Sequence, residues 1–275
     1  MRTFTPIIIF LFSFGFVHSG MAKVGTHDAQ ERKGLSSEKN QEHEQIHWGY
    51  RGVEGPDHWA MLNPSYMTCE TGRQQSPINI VMARHGEGQE NLTFHYQPTP
   101  LTLRNNGHAI QVDYQDGSYL RLNGKSYKLR QFHFHDPSEH HIDGKAYPME
   151  MHLVHQDDGG HILVVGILLA LGEENRVFSR VGDWMQQHTG HRLPSKGQEV
   201  TPDLTFNLMD VLPHDTHHFS YHGSLTTPPC SEGVQWIVLK TPIEISKVQA
   251  DRFITTIGPN ARALQPLGER EIQEH

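Results

Sequence analysis

The chain has little cysteine, no second long apolar run and no basic stripe. Only Cys69 and Cys230 occur among 275 residues. That count fits an exported protein with a single disulfide; two free buried thiols are the alternative, disfavoured in an oxidising compartment. Lys and Arg number 23 against 31 Asp and Glu, for a formal charge of −8. Nothing basic is gathered to meet phosphates, which excludes nucleic acid as a partner. Beyond residues 7–17 no apolar stretch approaches spanning length, so no membrane span is expected in the mature chain. The polar end, residues 268–275, excludes a lipid-anchor tail signal. No internal repeat is visible, and helical periodicity is confined to 176–187 and 247–257.

What is present divides the chain. Arg2, the apolar run 7–17 and small residues around 17–22 read as a secretory signal over 1–22, with an uncleaved anchor as the alternative. Residues 23–44 are polar and without apolar period, a flexible leader. One domain is expected over 45–270, then a polar tail at 271–275; the destination is the periplasm or outside the cell. Strand-like runs recur at 92–96, 101–103, 109–114, 119–122, 127–134, 149–155, 162–171 and 235–239. Turn signals such as Asn106-Gly107, Asn123-Gly124 and Asp143-Gly144 separate them. The expected fold is mainly β (α+β), a single domain with a large twisted, mostly antiparallel sheet and short peripheral helices.

Histidine is abundant, 22 residues in all, so a His-x-His pair alone decides nothing. More is found at Gln131-Phe132-His133-Phe134-His135. On a strand, Gln131, His133 and His135 share one face and the two phenylalanines take the other. Glu150, His152 and Val154 repeat this pattern on the next strand. Two such strands put three imidazoles on one wall, with an amide and a carboxylate behind them. A catalytic zinc site needs that inventory: three nitrogen ligands, an open fourth position and groups that fix each ring's tautomer. A secreted His-rich buffer of metal ions is the competing reading.

With these residues in view, the chain resembles the α-class carbonic anhydrases, and among them the exported, bacterial-type members. The likeness runs in order through His47-Trp48-Gly49-Tyr50, Gln75-Ser76-Pro77-Ile78-Asn79-Ile80, Asn105-Asn106-Gly107-His108, the 131–135 run, Ser138-Glu139-His140, Glu150-Met151-His152, Ser224-Leu225-Thr226-Thr227-Pro228-Pro229 and Gln265-Pro266-Leu267. It implies one zinc ion per chain on His133, His135 and His152, with Gln131 and Glu150 orienting the first and third ligands. The Asn260 backbone carbonyl matches a support for another ligand. The implied reaction is reversible hydration of carbon dioxide to bicarbonate and a proton, through zinc-bound hydroxide.

The same resemblance assigns Thr226 as the group that accepts from the hydroxide while donating to Glu139, and Thr227 as a substrate contact. Val154, Val164, Leu225, Val234 and Trp236 match an apolar wall for carbon dioxide; read without the resemblance they are ordinary core residues. His108 matches the proton shuttle, and Tyr50, Asn106 and Gln111 match groups that hold water between it and the metal. Asp136-Pro137 departs from the animal cytosolic members, and Ala263 stands where a proline is common. Monomer and homodimer are both open. A non-catalytic binding module of the same fold is the second hypothesis, opposed by the intact ligands.

Overall fold

The computed structural model describes residues 47–86, 90–189 and 194–275. The expected signal and leader lie outside the described residues. Ten strands organise the account: β1 Leu103–Asn105, β2 Ile110–Asp113, β3 Tyr119–Leu122, β4 Lys125–His135, β5 Met149–Gln156, β6 Ile162–Leu171, β7 His218–Ser224, β8 Glu232–Leu239, β9 Ile243–Ile245 and β10 Gln273–Glu274. All ten belong to one large sheet, with β1-β2-β4-β5-β6-β8-β7-β10 running across its middle. Most pairs are antiparallel; β6 pairs in parallel with both β8 and β9. The sheet is therefore mixed.

Local chemistry explains the strands. Asn123 and Gly124 both adopt positive φ, 51° and 83°, the conformation a two-residue hairpin between β3 and β4 needs. Along β4 and β5 the apolar partners Phe132, Phe134, Met151 and Leu153 enter the main core. That core is covered by two helices, α1 Arg176–Thr189 and α2 Lys247–Ile257, through Phe178, Val181, Phe253 and Ile254. Ser246 and Gln249 close a capping box at the start of α2. Burying one face against helices leaves the other for the histidines.

Three expectations need correction. The strand foreseen at 101–103 is β1, shifted to Leu103–Asn105, because Thr99–Pro100 pairs separately with Thr205–Phe206. β7 was not foreseen: its run His-Phe-Ser-Tyr-His-Gly-Ser reads as polar, yet only His222 in it is exposed. Residues 271–275 are no free tail. Ile272 is buried, and β10 pairs with β7 on one side and Arg84–His85 on the other.

Candidate active site

Antiparallel pairing sets His152 directly opposite His133, and Glu150 opposite His135. The three rings of His133, His135 and His152 stand 4.5–5.3 Å apart between centroids. Donor atoms of all three lie within 4.8 Å of one another. The partners behind the rings dictate which nitrogens those are. His133 Nδ1 meets Gln131 Oε1 at 2.9 Å, His135 Nδ1 meets the Asn260 carbonyl at 2.9 Å, and His152 Nε2 meets Glu150 Oε1 at 2.9 Å. Each partner is an acceptor, so each of those nitrogens carries the hydrogen. The lone pairs left over are on His133 Nε2, His135 Nε2 and His152 Nδ1.

These lone pairs converge without donors. His135 Nε2 and Glu139 Oε2 are buried and have no hydrogen-bond partner. They stand 3.5 Å apart, and His152 Nδ1 is 3.9 Å from the same oxygen. A buried gathering of acceptors is stable only with a cation among them. Burial lowers the pKa of all three imidazoles, keeping them neutral as ligation needs. The residues therefore fit a divalent metal.

A second group, His140, Glu150 and His152, also brings three donors within 4.8 Å. Its members already satisfy each other. Glu150 Oε1 accepts from His140 at 2.7 Å as well as from His152, and Oε2 accepts from the backbone N–H of Glu139 and His140. His140 Nε2 meets the Tyr221 hydroxyl at 2.6 Å. His140 therefore fixes the carboxylate that orients His152, a role the sequence did not reveal. Gly166, opposite His152, makes room: a Cβ there would lie 2.7 Å from Glu150 Oε1.

Glu139 is fully buried, and burial pushes its carboxyl up to about 7 despite the neighbouring His152. The Arg262 backbone N–H donates to its Oε1 at 2.8 Å. The neighbouring Thr226 hydroxyl acts in the opposite direction to burial, lowering the Glu139 pKa. Arg262, missed by sequence reading, anchors this corner through Gln75, Ser76 and the Cys69 carbonyl. Cys69 and Cys230 are joined as a disulfide, which tethers the Thr226–Thr227 turn to a short helix, Thr68–Thr71.

Val164, Val234 and Trp236 are buried, Val154 and Leu225 half-buried, in one apolar cluster. Trp236 stands 4.9 Å from the His152 ring, and Val154 follows His152 on the same face. This apolar cluster therefore borders the imidazoles through Trp236 and Val154. Gln111 lies opposite His133 on β2 and accepts from Asn106 Nδ2 at 3.1 Å. The Tyr50 hydroxyl is buried without a partner, its pKa raised by burial and by Glu139. His108 stacks on Trp48, centroids 3.6 Å apart. Burial there, with Lys196 and His47 adding, lowers its pKa to about 4, well below the ordinary imidazole value.

Comparison with known proteins decides what these residues belong to. The eukaryotic-type carbonic anhydrase family matches residues 54–275. The chain belongs to the α-carbonic anhydrases. A carbonic anhydrase of Nostoc sp. is 42% identical over 233 residues, covering 83% of this chain and 86% of the relative. One from Neisseria gonorrhoeae is 39% identical over 230 residues, covering 83% and 88%. A hyperthermostable carbonic anhydrase from a hydrothermal vent chimney superposes with a TM-score of 0.77 at 39% identity, covering 83% of this chain and 99% of that one. The activity is that of a carbonic anhydrase (EC 4.2.1.1), a lyase whose family hydrates carbon dioxide with zinc.

Proposed function

We propose that His133 Nε2, His135 Nε2 and His152 Nδ1 hold one zinc ion per chain, and that the chain hydrates carbon dioxide reversibly at that centre. The observation that carries this is the convergence of three lone pairs whose opposite nitrogens are all committed to acceptors. When bound, zinc lowers the pKa of a water to about 7, the established figure for this family and not one derived from this chain. A divalent ion beside Glu139 would also draw its carboxyl down and keep it an acceptor.

The protein groups then divide the work. Glu139, ionised, accepts only, so the Thr226 hydroxyl must donate to it and present its own lone pair to the reaction centre. That fixes the orientation of the attacking oxygen, and Thr227 contacts the substrate alongside. Val154, Val164, Leu225, Val234 and Trp236 form a dry shelf for an uncharged substrate. Tyr50, Asn106 and Gln111 order water toward His108, which carries the proton to buffer. At about 4, stacked on Trp48, His108 is too weak a base to take that proton easily; a ring moved from the stack into solvent would escape the burial that is the main cause of the lowering. The disulfide supports a periplasmic or secreted location.

Thr226→Val tests the assignment. It should keep the metal and lower kcat/KM for carbon dioxide by on the order of 10²-fold, comparable with loss of one preorganised hydrogen-bonding group. Unchanged kcat/KM in a zinc-loaded variant would remove Thr226 from the reaction.

A further inference from the structure

Glu90, His218 and His275 form a second convergence of acceptors that shares no residue with the imidazole trio. His218 and His275 are a cross-strand pair whose backbones exchange hydrogen bonds at 3.0 and 2.9 Å, so register holds them together. Their rings stand 5.3 Å apart at 28°. His218 Nδ1 lies 2.9 Å from the Thr216 carbonyl, which can only accept, so the ring hydrogen is there. Its Nε2 lone pair nonetheless faces Glu90 Oε2 at 2.8 Å. A carboxylate is acceptor-only, so the two are held together only by a shared cation.

That cation is either a second imidazole proton or a metal ion, and His275 favours the metal. Its side chain is 7% exposed, and both ring nitrogens lack a hydrogen-bond partner. Its Nε2 is 3.6 Å from the same Glu90 oxygen. A proton shared by His218 and Glu90 leaves His275 unpaired in a buried place; a metal engages all three. The separations of 2.8 and 3.6 Å bracket the roughly 3.3 Å between donors on a tetrahedral zinc with bonds of about 2.0–2.1 Å. A backbone carbonyl behind a ligating ring, here Thr216, is the usual arrangement. The three donors are not all within 4.8 Å of one another, unlike those around His152. Ligation therefore needs the His275 ring to turn toward Glu90, and an unpartnered ring breaks no hydrogen bond in turning. An open cleft, also lined by Asp215 and His217, gives access.

We propose that Glu90, His218 and His275 bind a divalent transition-metal cation of the zinc type, fastening β10 to β7. Two nitrogens and one carboxylate oxygen suit zinc, with water completing the shell. The proposal is independent of the catalytic reading, because it is measured as a difference between variants that leave the catalytic trio intact.

The test is zinc content of the full-length holoenzyme after equilibration with micromolar Zn²⁺, for wild type, Glu90→Gln and His275→Gln. The other histidines contribute equally to all three proteins and cancel. Wild type should retain one equivalent more than either variant, while carbon dioxide hydration and circular dichroism match. Added zinc should raise the melting temperature of the wild type and not of His275→Gln. Should Glu90→Gln fold poorly, His275→Gln at the end of the sheet carries the comparison. Equal zinc content in wild type and His275→Gln overturns the proposal and leaves a protonated His218–Glu90 pair.

Discussion

Single residues carry the chemistry, and the strictest demands fall on nitrogens whose tautomer is fixed from behind. Two imidazoles plus water do not complete a tight tetrahedral site. His152→Ala should therefore abolish zinc binding at the trio, measured by equilibrium dialysis in a His275→Gln background, whereas His141→Ala in the same background should leave one zinc bound; equal loss from both would refute the ligand assignment. For His108 the expectation follows from rates. Direct proton loss to water from a group of pKa about 7 is limited to on the order of 10³ s⁻¹. His108→Ala should thus lower kcat at low buffer, keep kcat/KM, and recover with added imidazole. Reduced kcat/KM without rescue would move His108 out of proton transfer. Trp48 adds a second readout, since Trp48→Ala frees the ring from its stack and should raise the NMR-measured pKa of His108. That His133, His135 and His152 share one wall was legible in the sequence because alternation on two strands is a local pattern. Arg262 and the His140–Glu150 bond were not, because their meaning depends on partners distant in sequence or on a loop's fold.

Elements hold these residues in register, and their energetics are visible on β5 and β6. Gly166→Ala should displace Glu150, because the new Cβ meets Oε1 at 2.7 Å with backbone strands on both sides. Zinc affinity should fall with little change in secondary structure; unaltered affinity would show that the Glu150 carboxylate adjusts freely. His155 on β5 gives a pH signature. It is fully buried, bonded to the Tyr96 hydroxyl at 2.8 Å, and burial lowers its pKa from 6.5 to about 4. The unfolded chain then binds more protons between those values, so stability is complete above about 6.5 and is lost as pH falls toward 4. The loss is roughly 3 kcal/mol. Urea titrations at pH 7 and 5 should show about 2 kcal/mol of it, and His155→Leu should flatten the difference; an equal slope in the variant would place the titration elsewhere. Long strands with apolar alternation, such as β4, or a nearly continuous apolar run, such as β6, were readable in sequence. β7 was not, because its buried His218, Ser220 and Ser224 look like a solvated face until tertiary contacts supply their partners.

At the scale of the whole molecule, one large sheet, a disulfide and a helix-backed core hold a polar site on the opposite face. The Cys69–Cys230 bridge closes a loop of 161 residues. It should contribute about 5 kcal/mol by restricting the unfolded chain. Reduction should lower the melting temperature while activity persists at moderate temperature, since neither cysteine is among the proposed ligands. Two free thiols by mass spectrometry in protein from an oxidising compartment would contradict the bridge. The central claim is that the three imidazoles hold the metal on which hydration depends. It is tested most directly by following carbon dioxide hydration through chelation and return of one zinc equivalent per chain. Activity should be lost with the metal and return with that equivalent; full activity in verified metal-free protein would mean that hydration does not depend on the metal.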